Sequence, residues 1–319
     1  MAAYIIRRLL LFIPMLLGIT IITFVVMNLA PGDPIMAMIS PEDQLNEEDL
    51  DNMREALGLN KPIPIRYAIW LGEMLQGNFG YSYFTGRPVL ERVGDRIWPT
   101  LELTGAALLI STVVGFIFGV MAALRQYSIW DYFLTVTSLI GLSIPTFFFA
   151  LVALLVFGSI WPIFPVFGMS SSLDGTFNLW DNLYHLFLPA LILSMDLMAQ
   201  NTRYARTAML EVMKSDYVTT ARAKGLSEFV VMGRHAFRNA LLPLITITTL
   251  RLPILLGGAI VVETMFSWPG LGMLSIKAIH QQDYSTVMGL TFFVSTMVLG
   301  ANLLADILYA VADPRIRYS

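Results

Sequence analysis

The sequence predicts an all-α membrane protein with six transmembrane helices and both termini on the cytoplasmic side. Composition sets the class: 56% of the 319 residues are hydrophobic, 13% are charged and mean hydropathy is +0.67, values that a soluble domain does not reach. Six apolar stretches set the number of crossings, at residues 9–30, 98–124, 131–157, 186–210, 244–263 and 284–311. Each has about the 20 residues that a helix rising ~1.5 Å per residue needs to span hydrocarbon. Charge sets the orientation. With sides alternating, 12 Lys and Arg fall on the face that holds both chain ends, including Arg7, Arg8, Arg125, Lys214 and Arg315, against 7 on the other; the richer face is the cytoplasmic one.

The first stretch follows Arg7 and Arg8 as a secretory signal does, but its ~33 Å as a helix is about twice the length of a signal's apolar region. It reads as a retained first span, with residues 1–30 as the N-terminal segment. Residues 31–97 form a predicted helical extracytoplasmic cap: 41–57 and 67–75 have amphipathic spacing, and Gly77, Gly80 and Gly86 break the chain after them. The cap is either a lid that stabilises an outer mouth or a docking and guiding surface. Residues 98–319 hold the other five spans. A second outer loop, 161–181, is rich in Gly, Ser and Pro.

Between spans four and five lies a basic cytoplasmic segment, 209–243. Asp216 is placed as an N-cap and Gly225 as the residue just past a helix end, bracketing a helix of about two turns, ~12 Å long. Ser227 then caps a second helix, on which Phe229, Met232, Ala236 and Phe237 share a face at 3.6-residue spacing. Arg234, His235 and Arg238 crowd the end where cations suit the helix dipole, and Pro243 opens the next span. The whole is an elbow lying on the inner membrane surface, with a small-residue knuckle at Ala221, Ala223 and Gly225. Basic residues here satisfy the orientation rule by themselves, and amphipathic helices lie on membranes without partners, so periodicity alone leaves membrane-lying and partner-docking roles open.

Thr220-Ala-Arg-Ala-Lys-Gly225 followed by Leu242-Pro243 resembles the EAA loop, the coupling element of binding-protein-dependent ABC transporter permeases. Where the general pattern begins Glu-Ala-Ala, this chain has Thr219-Thr220-Ala221, and the distance from Gly225 to Pro243 exceeds that of the sugar permeases. Both departures are similar to the peptide and nickel branch. The B-type oligopeptide or dipeptide permease is further suggested by Ala30-Pro-Gly-Asp-Pro34, Gly77-Asn-Phe-Gly80, Glu263-Thr-Met-Phe-Ser-Trp-Pro-Gly-Leu-Gly272, Asp283-Tyr284 and Asp306-Ile-Leu-Tyr-Ala-Val-Ala-Asp-Pro-Arg-Ile-Arg317, which run almost from end to end.

The resemblance implies a type I ABC importer permease fold in a bacterial or archaeal cytoplasmic membrane, with Tyr217, Thr220, Ala221, Arg222, Ala223, Lys224 and Gly225 seating in an ATPase. It also implies the partners: a second homologous permease subunit, two cytoplasmic ATPase subunits that bind the ATP and Mg, an extracytoplasmic substrate-binding protein, and a peptide substrate. A nickel chelate, glutathione or an opine is the alternative cargo within the branch, and an ion-driven secondary transporter or a membrane scaffold is the alternative outside it.

Several chemistries are excluded by the residues themselves. No G-x-x-x-x-G-K-[ST] loop is present to cradle ATP phosphates, nor H-E-x-x-H, nor G-x-S-x-G, so the chain reads as a non-enzyme without a cofactor of its own. There are no cysteines, and three scattered histidines, His185, His235 and His280, do not suggest a metal centre. A net charge of −3 gives no reason to expect nucleic acid.

Glu102, Asp196, Arg251 and Asp306 fall inside predicted spans, where a charge costs at least ~2.5 kcal/mol at the bilayer centre. Glu102 and Asp306 lie near span ends and read as interfacial. Asp196 and Arg251 lie near mid-span, and either pair with each other or line a translocation pathway. Pro145, Pro189 and Pro253, with Gly141, Gly257 and Gly258, predict bent or closely packed helices.

Overall fold

The computed structural model describes residues 2–31, 34–38, 46–172, 177–240, 244, 248 and 252–312. They form helices throughout: α1 (Ala2–Leu29), α2 (Pro34–Met38), α3 (Glu47–Ala56), α4 (Ile63–Leu75), α5 (Val89–Leu124), α6 (Ile129–Ser143), α7 (Thr146–Ala153), α8 (Leu179–Met213), α9 (Asp216–Ala223), α10 (Glu228–Val230), α11 (Leu252–Met265), α12 (Leu271–His280) and α13 (Tyr284–Ala312). Both α7 and α10 run on as π-helix, over Leu154–Ile160 and Val231–Phe237. The chain divides into two compact units, residues 1–99 with 269–300 and residues 100–268 with 301–319.

Four helical segments are long and apolar enough to cross a membrane: Ile5–Leu29, Val89–Leu124, Leu179–Met213 and Tyr284–Ile307. The predicted span at 131–157 is a broken pair, α6 and α7, bent by 103° where Pro145 predicts a bend. Proline is the cause. Pro145 has no N–H to donate and pushes the residue before it out of helical geometry, and Ile144 is accordingly extended at φ −97°, ψ 126°. With the pair taken as one crossing, the described residues supply up to five. The predicted fifth span, 244–263, is described mainly through α11, the rest lying outside the described residues.

In the first unit the two helices predicted within residues 31–97 are present with shifted edges. Residues 41–45 lie outside the described residues, and α3 starts at Glu47 behind a capping box in which Asn46 Oδ1 accepts from Asp49 N at 2.8 Å and Asp49 Oδ2 from Asn46 N at 3.2 Å. The second cap helix begins at Ile63, earlier than predicted, because Pro62 and Pro64 suit a helix entrance. Gly77, Gly80 and Gly86 all take positive φ, at 83°, 75° and 65°, as chain-breaking glycines do.

The unit is closed by one buried carboxylate. Asp283, fully buried, accepts on Oδ2 from Ser82 Oγ (2.5 Å), Thr286 Oγ1 (2.7 Å) and Arg92 Nη1 (2.9 Å), and on Oδ1 from the backbone N–H of Tyr83 (3.2 Å) and Thr286 (3.3 Å). Phe79, Val89, Val93 and Val287 pack beside it in the unit's apolar core. Asp283→Asn removes the charge facing Arg92 and is expected to destabilise this unit by about 2 kcal/mol, the range for a hydrogen bond to a charged group; hydrogen exchange at Ser82 to Asp95 in lipid nanodiscs reads the loosening.

The second unit is built on α8, which presents fifteen buried residues. α5 approaches it closely through Gly115 and Gly119. A Cβ on Gly119 would stand 2.4 Å from Ala205 Cβ and 2.5 Å from the Thr202 carbonyl oxygen, and one on Gly115 would stand 2.7 Å from Asn201 Cβ. α6 is held to α8 by a bidentate ion pair, Arg206 Nε to Asp131 Oδ1 at 2.7 Å and Arg206 Nη2 to Oδ2 at 2.9 Å, and the predicted close-packing Gly141 lies against Ala199 of α8. Pro189 sits inside a continuous α8. The Glu263 motif is structural on this side: Glu263 is fully buried, its Oε1 accepts from Thr100 Oγ1 at 2.7 Å, and its carbonyl accepts from Trp268 N at 2.8 Å while Phe266 and Trp268 fill the core.

Candidate functional site

The elbow folds as a short helix pinned by two apolar residues. Val218 and Ala221, three apart on α9, are buried against Ala123, Met209, Val231, Ala236 and Ala240, which leaves the opposite edge exposed. Tyr217, Thr220, Arg222, Ala223, Lys224 and Gly225 all lie on that exposed side. Ala221 is the exception among the predicted site residues. Its small size serves packing inside the chain, so the knuckle reduces to Ala223 and Gly225.

The helix ends differ slightly from expectation. The N-cap is Ser215, at φ −73° and ψ 149°, and Asp216 is the first helical residue; the Ser215 hydroxyl donates back to the Val212 carbonyl at 2.5 Å instead of capping. Asp216 still serves the first turn, where a carboxylate suits the helix dipole. At the other end Lys224 is the C-cap and Gly225 follows in the left-handed region, φ +75°, its N–H donating to Arg222 O at 2.9 Å, as predicted for a glycine past a helix end. Nothing lies within 4 Å of where a Gly225 Cβ would stand. Arg222 Nε donates to Glu228 Oε1 at 2.8 Å, tying α9 to α10.

The second helix of the elbow corrects the predicted face. Val231, Ala236 and Ala240 are buried, Phe229 is 89% exposed, and Met232 and Phe237 are half-buried. A 3.6-residue period fails here because Val231–Phe237 is π-helical, and its i to i+5 geometry brings Val231 and Ala236 to one side. Phe229, Met232 and Phe237 line an open apolar groove of about 900 Å³ with Ile117 and Val120 of α5.

Asp196 lies half-buried on α8 and accepts from Gln200 Nε2 at 2.7 Å. Its predicted counterpart Arg251 lies outside the described residues, as do Leu242 and Pro243. Glu102 has the Asn182 side chain as a hydrogen-bond partner and its Oε2 is shut off from water, so the interfacial reading of Glu102 understates its enclosure. Two features beside the elbow escaped the sequence reading: the Asp131–Arg206 pair and the Gly115/Gly119 contact. The second had a visible signal, since Gly115-Phe-Ile-Phe-Gly119 is the G-x-x-x-G spacing of closely packed membrane helices.

Comparison with known proteins gives this geometry its context. Residues 115–318 match the family described as binding-protein-dependent transport system inner membrane component, and residues 1–104 match the corresponding N-terminal membrane component. Over 319 residues, 100% of both chains, the sequence is 46% identical to the oligopeptide transport system permease protein AppB of Bacillus subtilis. It is 36% identical to the dipeptide transport system permease protein DppB of Alkalihalophilus pseudofirmus, over all of both chains, and 38% identical to that of Escherichia coli K12, over 100% of this chain and 99% of the other. The chain, with helices long and apolar enough to cross a membrane and a short helix held by one side only, belongs to the family of inner membrane components of binding-protein-dependent transport systems.

Proposed function

We propose that this chain is a channel-forming subunit of an ATP-driven importer that moves oligopeptides or dipeptides delivered by an extracytoplasmic binding protein. In this reading it crosses the membrane six times with both termini in the cytoplasm, carries the 31–97 cap outside, and pairs with a second permease subunit to enclose the pathway. Two cytoplasmic ATPase subunits bind ATP and Mg and supply the thrust. The peptide cargo follows the oligopeptide and dipeptide permeases to which the chain is similar.

The observation that carries the mechanism is the one-sided burial of α9. Val218 and Ala221 join it to α5, α8 and the π-helix, so a push on the exposed Tyr217, Thr220 and Lys224 edge is passed to the bundle as a rigid-body shift. The following helix moves with it because Val231 and Ala236 pack in the same cluster as Val218 and Ala221, and the exposed Arg222–Glu228 bridge adds only a weak second link. Packed helices convert small displacements into a change between two discrete states, here an inward-facing and an outward-facing pathway.

The test is uptake of labelled dipeptide into vesicles reconstituted with the assembled complex and the binding protein. The proposal expects uptake that needs ATP and stops with vanadate. Uptake driven by an ion gradient without ATP, or a chain that co-purifies with no ATPase, contradicts it.

A further inference from the structure

The first unit contains a pocket of about 300 Å³ between the end of α3, α4, residues 79–83 and the start of α13. Four charged side chains of both signs border it: Glu55, Lys61, Arg66 and Glu73. Among the described residues none of the four makes an ion pair with another. Arg66 instead lies over the Phe24 ring, 5.9 Å from its centre. Trp70, Tyr83 and Tyr284 supply aromatic wall, and the Trp70 indole N–H, shut off from water, has no acceptor among the described residues.

Glu55, Lys61 and Glu73 are exposed and Arg66 is half-buried, and a pocket bordered by both signs complements a ligand that carries both. Cations that are not neutralised within the protein attract a carboxylate, and the carboxylates attract an ammonium, each through charge-assisted hydrogen bonds. The volume is at the lower end for small-molecule sites, about 300 to 1,000 Å³. A dipeptide places its two charged termini at most about 7 Å apart, at ~3.3 to 3.6 Å per extended residue, and a pentapeptide separates them more than twice as far.

We propose that this cap pocket is a binding subsite for a short zwitterionic peptide, its carboxylate toward Lys61 and Arg66 and its ammonium toward Glu55 and Glu73. The inference rests on the peptide-import reading and sharpens it: the cap senses both termini at once and so prefers dipeptides to longer cargo. The aromatic wall takes the side chains without selecting among them.

Equilibrium binding of labelled dialanine to the assembled transporter in lipid nanodiscs, with the binding protein omitted, tests this. Saturable binding is expected, weakened about tenfold, the equivalent of one charge-assisted contact, by N-acetylation, by C-terminal amidation, or by extension to pentaalanine. Lys61→Gln with Arg66→Gln should weaken dialanine but leave its amidated form unaffected; Glu55→Gln with Glu73→Gln should weaken dialanine but leave its acetylated form unaffected. If a double variant fails to assemble, Lys61→Gln alone, at an exposed position, gives the same comparison. No saturable binding by the wild type, equal affinity for the doubly capped dipeptide, or variants that bind all forms like wild type overturns the subsite. ATP-driven dialanine uptake by the same complexes with binding protein restored separates the two failures: uptake without cap binding overturns only the subsite, whereas absence of uptake for every peptide overturns the import reading beneath it.

Discussion

Gly225→Asp is expected to lower ATP-driven uptake by about a hundredfold or more, the cost of an unpaired carboxylate buried at an interface being roughly 3 kcal/mol or above, while the chain inserts and folds normally. The two halves of that expectation have separate causes. Within the chain the substitution is mild, because the Cβ points into open space; its cost is the left-handed backbone at φ +75°, ~1 to 2 kcal/mol at most and less for Asp than for other residues. All further loss must come from whatever docks on the exposed edge of α9. Gly225→Ala, without the charge, should give an intermediate defect, and ATPase activity of the complex should lose its stimulation by peptide-loaded binding protein. Wild-type uptake by Gly225→Asp removes the docking role from this edge.

Gly119→Val is expected to be the most damaging substitution for folding, costing about 3 kcal/mol or more, at or beyond the upper end for forcing atoms into a packed core. The obstacle is backbone: the added Cβ meets the Thr202 carbonyl oxygen at 2.5 Å and Arg206 N at 2.9 Å, and neither can rotate away as a side chain end can. α5 must therefore back off from α8, which also disturbs Arg206 where it holds Asp131. Gly119→Ala should show a smaller loss of the same kind. Gly105→Ala on the same helix, where nothing lies within 4 Å, should be neutral or slightly stabilising. Thermal unfolding of the three variants in nanodiscs gives the order, and equal midpoints for Gly119→Val and Gly105→Ala contradict the close approach.

The features that depend on local chemistry were legible. Apolar length marked the four segments that are long and apolar enough to cross a membrane, Pro145 marked the break between α6 and α7, the three glycines read as chain breaks take positive φ, and Gly225 ended α9 as its place in the segment required. Pairings distant in the chain were not legible. Asp131 and Arg206 are 75 residues apart, and each already had a sufficient local explanation, one as the start of an apolar stretch and the other as a cytoplasmic positive charge. Asp283 was visible only as part of a motif; its partners Ser82 and Arg92 lie some two hundred residues earlier, and only the folded chain shows why they belong together. The misplaced face after Ser227 has a different origin. Helical periodicity presumes 3.6 residues per turn, and the π-helical segment changes that spacing, so that Val231 joins Ala236 on the buried side in place of Phe229.

In the candidate site, exposure of the α9 edge could be read from its charges, but the anchoring by Val218 and Ala221 could not, because a two-turn helix offers too few positions for a periodic signal. In the proposed mechanism that anchoring turns a surface helix into a lever. The chain has no cysteine of its own, so a single one can report on the lever without background. The most direct measurement is cross-linking from Thr220→Cys in the assembled complex with a short thiol-attached photo-cross-linker that needs no cysteine on the partner, compared with Gln76→Cys just after α4, with and without ATP. The account predicts that Thr220→Cys joins the chain to an ATPase subunit, with a yield that changes on ATP binding, and that Gln76→Cys does not. An ATPase cross-link from Gln76→Cys, or none from Thr220→Cys in complexes that still contain the ATPase, contradicts it.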